Sequence, residues 1–146
     1  MGGVTTLSLI SCEILRDVSG LGTVSKLTIS GCHNITDVSA LRTVSNLTIR
    51  NCNGITDVSA LGMGRVIHLT LGWCYLTDVT GLGTVPNLTL RHCYGIMDVM
   101  ELRTVSNLTI DSCHYITNVS ALETTVANLT LRDCRTISTS KRSTFF

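Results

Sequence analysis

Seven cysteines, Cys12, Cys32, Cys52, Cys74, Cys93, Cys113 and Cys134, recur about every twenty residues, each followed by an isoleucine or leucine and then by valine and leucine. A globular core uses each element once, in a different role. This chain instead repeats one unit through nearly all of its 146 residues. The clearest copy reads Asn46-Leu47-Thr48-Ile49-Arg50-Asn51-Cys52-Asn53-Gly54-Ile55-Thr56-Asp57-Val58-Ser59-Ala60-Leu61, and the other copies keep its apolar letters while changing the polar ones. A unit this short cannot bury its apolar stripe alone, so the period demands a stack of coils, a solenoid.

Aligned, the copies give Leu-x-Ile/Leu-x-x-Cys-x-x-Ile-Thr-Asp-Val-x-x-Leu-x-x-Val. The Leu-x-Ile pair alternates with the period of a strand that buries one face. It recurs as Leu27/Ile29, Leu47/Ile49, Leu69/Leu71, Leu88/Leu90, Leu108/Ile110 and Leu129/Leu131. The later Ile, Val, Leu and Val fall three apart, which suits tight turns. There is no room for a full helix with two connections, so 3₁₀ or irregular segments are expected on the outer side.

These motifs resemble the leucine-rich repeats, whose Leu-x-Leu-x-x-Asn/Cys core is present in all seven copies. The Cys-x-x-Ile-Thr-Asp portion is similar to the cysteine-containing class of ubiquitin-ligase adaptors, and Ile-Thr-Asp-Val-Ser-Ala-Leu to the short internalin-like bacterial repeats. The resemblance implies an α/β-type solenoid of seven coils, with a curved parallel sheet on the concave side and short segments on the convex side. Residues 5–138 would form the repeat domain and 139–146 a C-terminal tail. Two departures stand out. The segment from Gly62 to His68 is two residues longer than its counterparts, and Cys74-Tyr75-Leu76 is one residue shorter than Cys-x-x-Ile. Both flank the strand read as carrying Trp73.

Charge excludes several functions. Lys and Arg number 11, Asp and Glu 10, and the formal net charge is +1, so neither a basic field for nucleic acid nor an acidic channel follows. Polar residues interrupt every apolar run well before the roughly 18 to 20 residues that cross a bilayer. The start, Met1 to Thr6, lacks the basic and apolar regions of a signal peptide.

The cysteines invite a metal or disulfide reading, but one thiol per coil makes a line and not a tetrahedron. Parallel neighbours do not readily reach the disulfide torsion, and an odd count cannot pair completely. They read as core. Cys32-His33, His92-Cys93 and Cys113-His114 lack a consistent order and a third orienting group, so no nucleophile and base are assigned. The column Asp17, Asp37, Asp57, Asp78 and Asp98, with Asn118, offers one side chain per coil, too few oxygens for calcium, and reads as turn caps. Neither a metal nor a cofactor is expected. Sequons such as Asn87-Leu88-Thr89 and Asn107-Leu108-Thr109 fall one coil apart, where sugars would crowd, and with the odd cysteine count they lean toward an intracellular site.

Outward positions of the strands form a threonine column, Thr28, Thr48, Thr70, Thr89, Thr109 and Thr130, and an asparagine column, Asn46, Asn87, Asn107 and Asn128. Threonine's β propensity explains the first; an ice-binding array is the alternative it raises, opposed by the flanking arginines. The variable columns carry more. The only Trp and all three Tyr gather in successive coils, among Arg50, Trp73, Tyr75, Arg91, His92, Tyr94, Asp111, His114 and Tyr115. Aromatic and Arg side chains are the usual anchors of interfaces. The expected function is therefore non-enzymatic recognition of a protein through the concave face and its turn edge, with a substrate-recruiting arm of a ubiquitin ligase as the alternative from resemblance. Trp73→Ala and Arg91→Ala should weaken binding and spare stability. The unprotected edge strands predict self-association through the solenoid ends.

Overall fold

The computed structural model describes residues 3–137. The tail assigned to 139–146 lies outside them. Each Leu-x-Ile/Leu pair occupies the second and fourth places of a five-residue strand: β1 Thr6–Ile10, β2 Lys26–Ser30, β3 Asn46–Arg50, β4 His68–Gly72, β5 Asn87–Arg91, β6 Asn107–Asp111 and β7 Asn128–Arg132. The strands pair in chain order as one parallel sheet of seven. Register follows the repeat residue for residue: Leu27 lies opposite Leu47, Leu47 opposite Leu69, Leu69 opposite Leu88 and Leu88 opposite Leu108. A slip of one residue would turn every buried leucine outward, so the apolar pattern alone specifies the alignment.

The far side of each coil is short. Segments Ser19–Leu21, Ser39–Thr43, Ser59–Met63, Leu82–Thr84 and Met100–Thr104 are 3₁₀ helices. The sixth coil differs from the expected pattern, because Ser120–Thr125 is an α-helix, α1. Its cause is one extra residue. Where the Val44 N–H donates to Leu41 O, the Val126 N–H donates to Leu122 O, widening the closing turn by one position.

Within the third coil Leu47, Ile49, Cys52, Ile55, Val58 and Leu61 are each at most 2% exposed, and the same six columns run through the array as one continuous core. Burying one such aliphatic side chain is worth about 1.5 to 3 kcal/mol. All but Cys12 of the cysteines belong to this core, free and buried. Their sulfurs also close the backbone. Cys52 Sγ lies 3.1 Å from Arg50 O and 3.9 Å from Ile29 O in the preceding coil, and Cys113 Sγ lies 3.4 Å from Asp111 O and 3.7 Å from Leu90 O.

The aspartate column caps turns as expected. Oδ1 of Asp17, Asp37, Asp57, Asp78 and Asp98 accepts the N–H two residues on at 2.7 to 2.9 Å, and Asn118 does the same for Ser120. Outside the sheet the asparagine column becomes a ladder. Asn128 donates to Asn107 Oδ1 at 2.6 Å, Asn107 to Asn87 Oδ1 at 2.7 Å, and Asn87 to Ile67 O at 3.1 Å. The Nδ2 atoms that a sugar would need are thus engaged in coil-to-coil bonds.

The two-residue insertion is absorbed by a loop that reaches back one coil. The Arg65 N–H donates to Arg42 O at 2.6 Å. That approach requires glycine beside it, since a Cβ on Gly64 would stand 1.9 Å from the same Arg42 oxygen.

Candidate functional site

The strands end on a feature that the apolar repeat does not announce. The residue before each cysteine, namely Ser11, Gly31, Asn51, Trp73, His92, Ser112 and Asp133, has φ between 44° and 66°. Left-handed backbone turns the chain sharply off the sheet while its N–H keeps bonding along the array: Asn51 to Gly72 O, Trp73 to Arg91 O, His92 to Asp111 O, all at 2.9 to 3.0 Å. Gly, Asn and Asp tolerate this conformation, and a bulky Trp is an outlier in it. A partial signal was available, since Gly31, Asn51, His92 and Asp133 are of types enriched at positive φ.

Trp73 therefore sits just past β4 and not within it, a correction to its reading as a strand residue. Its indole is 44% exposed and lies on the imidazole of His92, with ring centroids 4.4 Å apart and planes 19° from parallel. His92 Nδ1 stands 3.1 Å from the Tyr94 hydroxyl, and the Tyr94 ring stacks on His114 at 6.0 Å and 24°. Four rings on three successive coils thus make one connected run.

Beside the run a hollow of about 100 Å³ is lined by Asn51, Asn53, Trp73, Tyr75, His92 and Tyr94, with Cys74 beneath. Two rails form it. Asn51, Trp73 and His92 precede the cysteines, and Asn53, Tyr75 and Tyr94 follow them. The missing residue of the fourth coil falls here: the Ile55 N–H closes a turn onto Cys52 O at 3.2 Å, whereas Leu76 follows Cys74 too soon for that turn, and Tyr75 alone spans the gap at 65% exposure. Asn51 and Asn53 are not among the candidates that the sequence singles out. They occupy the same two columns as Trp73 and Tyr75, one coil earlier, and among the described residues their side-chain amides have no hydrogen-bond partner.

The charged candidates divide. Asp111 is only 8% exposed; its carboxylate accepts Arg91 Nε at 3.1 Å and the Ser112 hydroxyl at 2.9 Å. Arg91 is thereby held against β6. Arg50 is exposed and has no ion-pair partner among the described residues. Between the two arginines the register places Gly72, and the Arg50 stem passes close to it, with Cγ 3.5 Å from where a Cβ on Gly72 would stand. Tyr115 is 56% exposed, one residue beyond His114, and makes no ring contact with the run.

The buried thiols beneath the site are chemically quiet. Burial pushes Cys52 upward and Cys74 up to about 11, against the ordinary 9.0, because a thiolate there would lose its water.

No family model matches the chain, and no curated protein does. Among solved structures it is similar to an internalin, InlF, from Listeria monocytogenes, with 18% identity and a TM-score of 0.58. The match covers 94% of this chain and 49% of that one, so the chain spans about half the length of the structure it resembles. With seven parallel strands in unbroken order and one repeat per strand, the fold is that of a leucine-rich-repeat solenoid.

Proposed function

We propose that this chain is a non-enzymatic recognition module that holds a protein partner on the turn edge adjoining the concave face, centred on Trp73, Tyr75, His92 and Tyr94. The observation that carries this reading is the placement of Trp73. A residue poorly suited to left-handed backbone is held in it, half exposed, at the start of a run of four rings that includes the chain's only Trp. Strain of this kind collects at functional sites, and exposed aromatics in a connected cluster are what interface hot spots are made of. The solenoid supports it by offering a surface whose positions change while the core does not.

Affinity capture from the native source tests the reading. Trp73→Ala and Tyr75→Ala should each lose the partner that the unchanged protein retains, and Thr130→Ala, on the last strand, should keep it. Equal retention by all three variants would show that this edge is not the binding surface.

A further inference from the structure

Granted that this edge is the binding surface proposed above, the chemistry of the hollow narrows the partner further. Recognition of a peptide reuses a few backbone modes. Strand addition is closed here, because the strands beside the hollow, β3 to β5, are paired on both sides. A helix of about 10 Å diameter needs a broad apolar groove, whereas Asn51, Asn53 and His92 make half of this lining polar. A phosphate would need cations over the hollow. None of the side chains lining it is Lys or Arg, Arg91 at the fifth coil is already bound to Asp111, and Arg50 at the third coil is a single guanidinium at one end, which suits one carboxylate better than a doubly charged phosphate over the hollow.

What the two rails offer is ring faces beside hydrogen-bond donors. Trp73 and Tyr75 present exposed rings with an indole N–H and a phenol, and Asn51 and Asn53 present free amides. That is the complement of a polyproline II segment, whose prolines are apolar rings without N–H groups and whose carbonyls are left open. Spacing agrees. Such a helix turns once in about 9.3 Å, and two steps between strands, from the third coil to the fifth, measure about 9.6 Å. One turn of the ligand therefore spans the hollow from the Asn51 and Asn53 amides to the His92 and Tyr94 rings.

Charge orients it. At the third-coil end Arg50 directly precedes Asn51 and is exposed and unpaired among the described residues, whereas at the fifth-coil end Arg91, which directly precedes His92, is neutralised by Asp111. We infer that the hollow between Trp73 and Tyr75 takes a proline-rich segment in the polyproline II conformation, with an acidic residue at the end that lies beside Arg50.

Trp73 is the only tryptophan of the chain, so its fluorescence reports on this site alone. Titration with an end-blocked proline-rich peptide bearing one terminal glutamate should change that emission saturably. Replacing the glutamate by glutamine should weaken binding about three- to tenfold, as should Arg50→Gln, and the two changes together should cost no more than either alone. Tyr94→Ala should weaken it by roughly tenfold or more while Thr130→Ala leaves it intact. A scrambled peptide with its prolines replaced by alanine should not bind. Saturable binding of a neutral oligosaccharide or a phosphopeptide in place of the proline peptide would overturn the inference. If the edge captures a protein whose binding no proline peptide competes, the recognition reading survives and this one falls; if Trp73→Ala also leaves capture untouched, both fall.

Discussion

The Arg91 guanidinium, bonded through Nε to Asp111 Oδ2 at 3.1 Å, ties the end of β5 to the end of β6 with one partner two-fifths exposed and the other nearly covered. The two sides of the pair are therefore unequal. Arg91→Ala strands a covered carboxylate with only the Ser112 hydroxyl as donor, and should cost about 1 to 2 kcal/mol in urea unfolding. Asp111→Asn frees an arginine that can turn to water, and should cost less than about 1 kcal/mol. This revises the expectation that Arg91→Ala would spare stability and makes Trp73 and Tyr75 the cleaner probes. Equal costs for both replacements would show that burial of Asp111 does not govern the pair.

Trp73 should reverse the usual rule for replacement. In a strand or helix, alanine is tolerated better than glycine; at φ of 47° glycine is free of the clash that any Cβ meets, a difference of about 1 to 2 kcal/mol. Trp73→Gly should thus unfold at a higher temperature than Trp73→Ala, although both lose the stack on His92. The same order should hold for Gly31 and its alanine variant, which shares the column. A more stable alanine at both sites would mean that the turn adopts another conformation in solution.

Thiol labelling should divide the cysteines into one and six, since Cys12 is half-buried and the other six are buried. With a thiol reagent at neutral pH, one group should react quickly and the rest only on unfolding, because burial both blocks access and disfavours the thiolate. Mass spectrometry of the labelled peptides identifies which. Rapid reaction of Cys52 or Cys93 in the folded protein would contradict the dry core. Cys52→Ser should destabilise by about 1 to 3 kcal/mol, as the stronger dipole of a hydroxyl is held in the same apolar site.

Acid should loosen the turns. Hydrogen bonds from Ser39 and Ser59, backbone first and then hydroxyl, hold Asp37 and Asp57 below their ordinary 3.8; for Asp17 and Asp78 the hydroxyls of Ser19 and Thr80 contribute most, followed by their N–H groups. A carboxylate lowered on folding contributes stability that is present above 3.8 and lost as the pH falls through the folded value. The melting temperature should therefore fall as the pH drops below about 4. Asp57→Asn, which copies the arrangement at Asn118, should keep the cap at neutral pH and lessen the acid sensitivity, and Asp57→Ala should lower the melting temperature at pH 7. An acid limb unchanged by the asparagine variant would place the sensitivity elsewhere.

The strands were fully legible because period-two burial leaves a direct trace: each Leu-x-Ile/Leu pair stands at the same two places of its strand, from Leu27/Ile29 to Leu129/Leu131. The caps were legible for a similar reason, as one side-chain type in one column reflects one local bond. What escaped was conformation without a single residue type. The left-handed column accepts Ser, Gly, Asn, Trp, His and Asp, so no letter marks it. The extra residue between Leu122 and Val126 is visible in the chain, and it alone converts a 3₁₀ turn into α1. Burial of Asp111 could not be read either, for its counterparts Arg50 and Arg132 are exposed; in the structure it lies between two arginine positions and bonds Arg91.

From Ser11 to Ser112, the left-handed residue before each cysteine has its backbone fixed by a bond to the next coil, while its side chain varies in what it meets: Trp73 lies on His92 and Ser112 bonds Asp111, but Asn51 has no side-chain partner among the described residues. The position works as a display socket. The residue shown differs from coil to coil while register, caps and core repeat, so these seven positions amount to a row of varied side chains at a spacing set by the sheet. On the proposed reading, a change of binding preference needs no change of architecture, only the substitution of the residues on show, and the row beginning Asn51, Trp73, His92 is one setting of it.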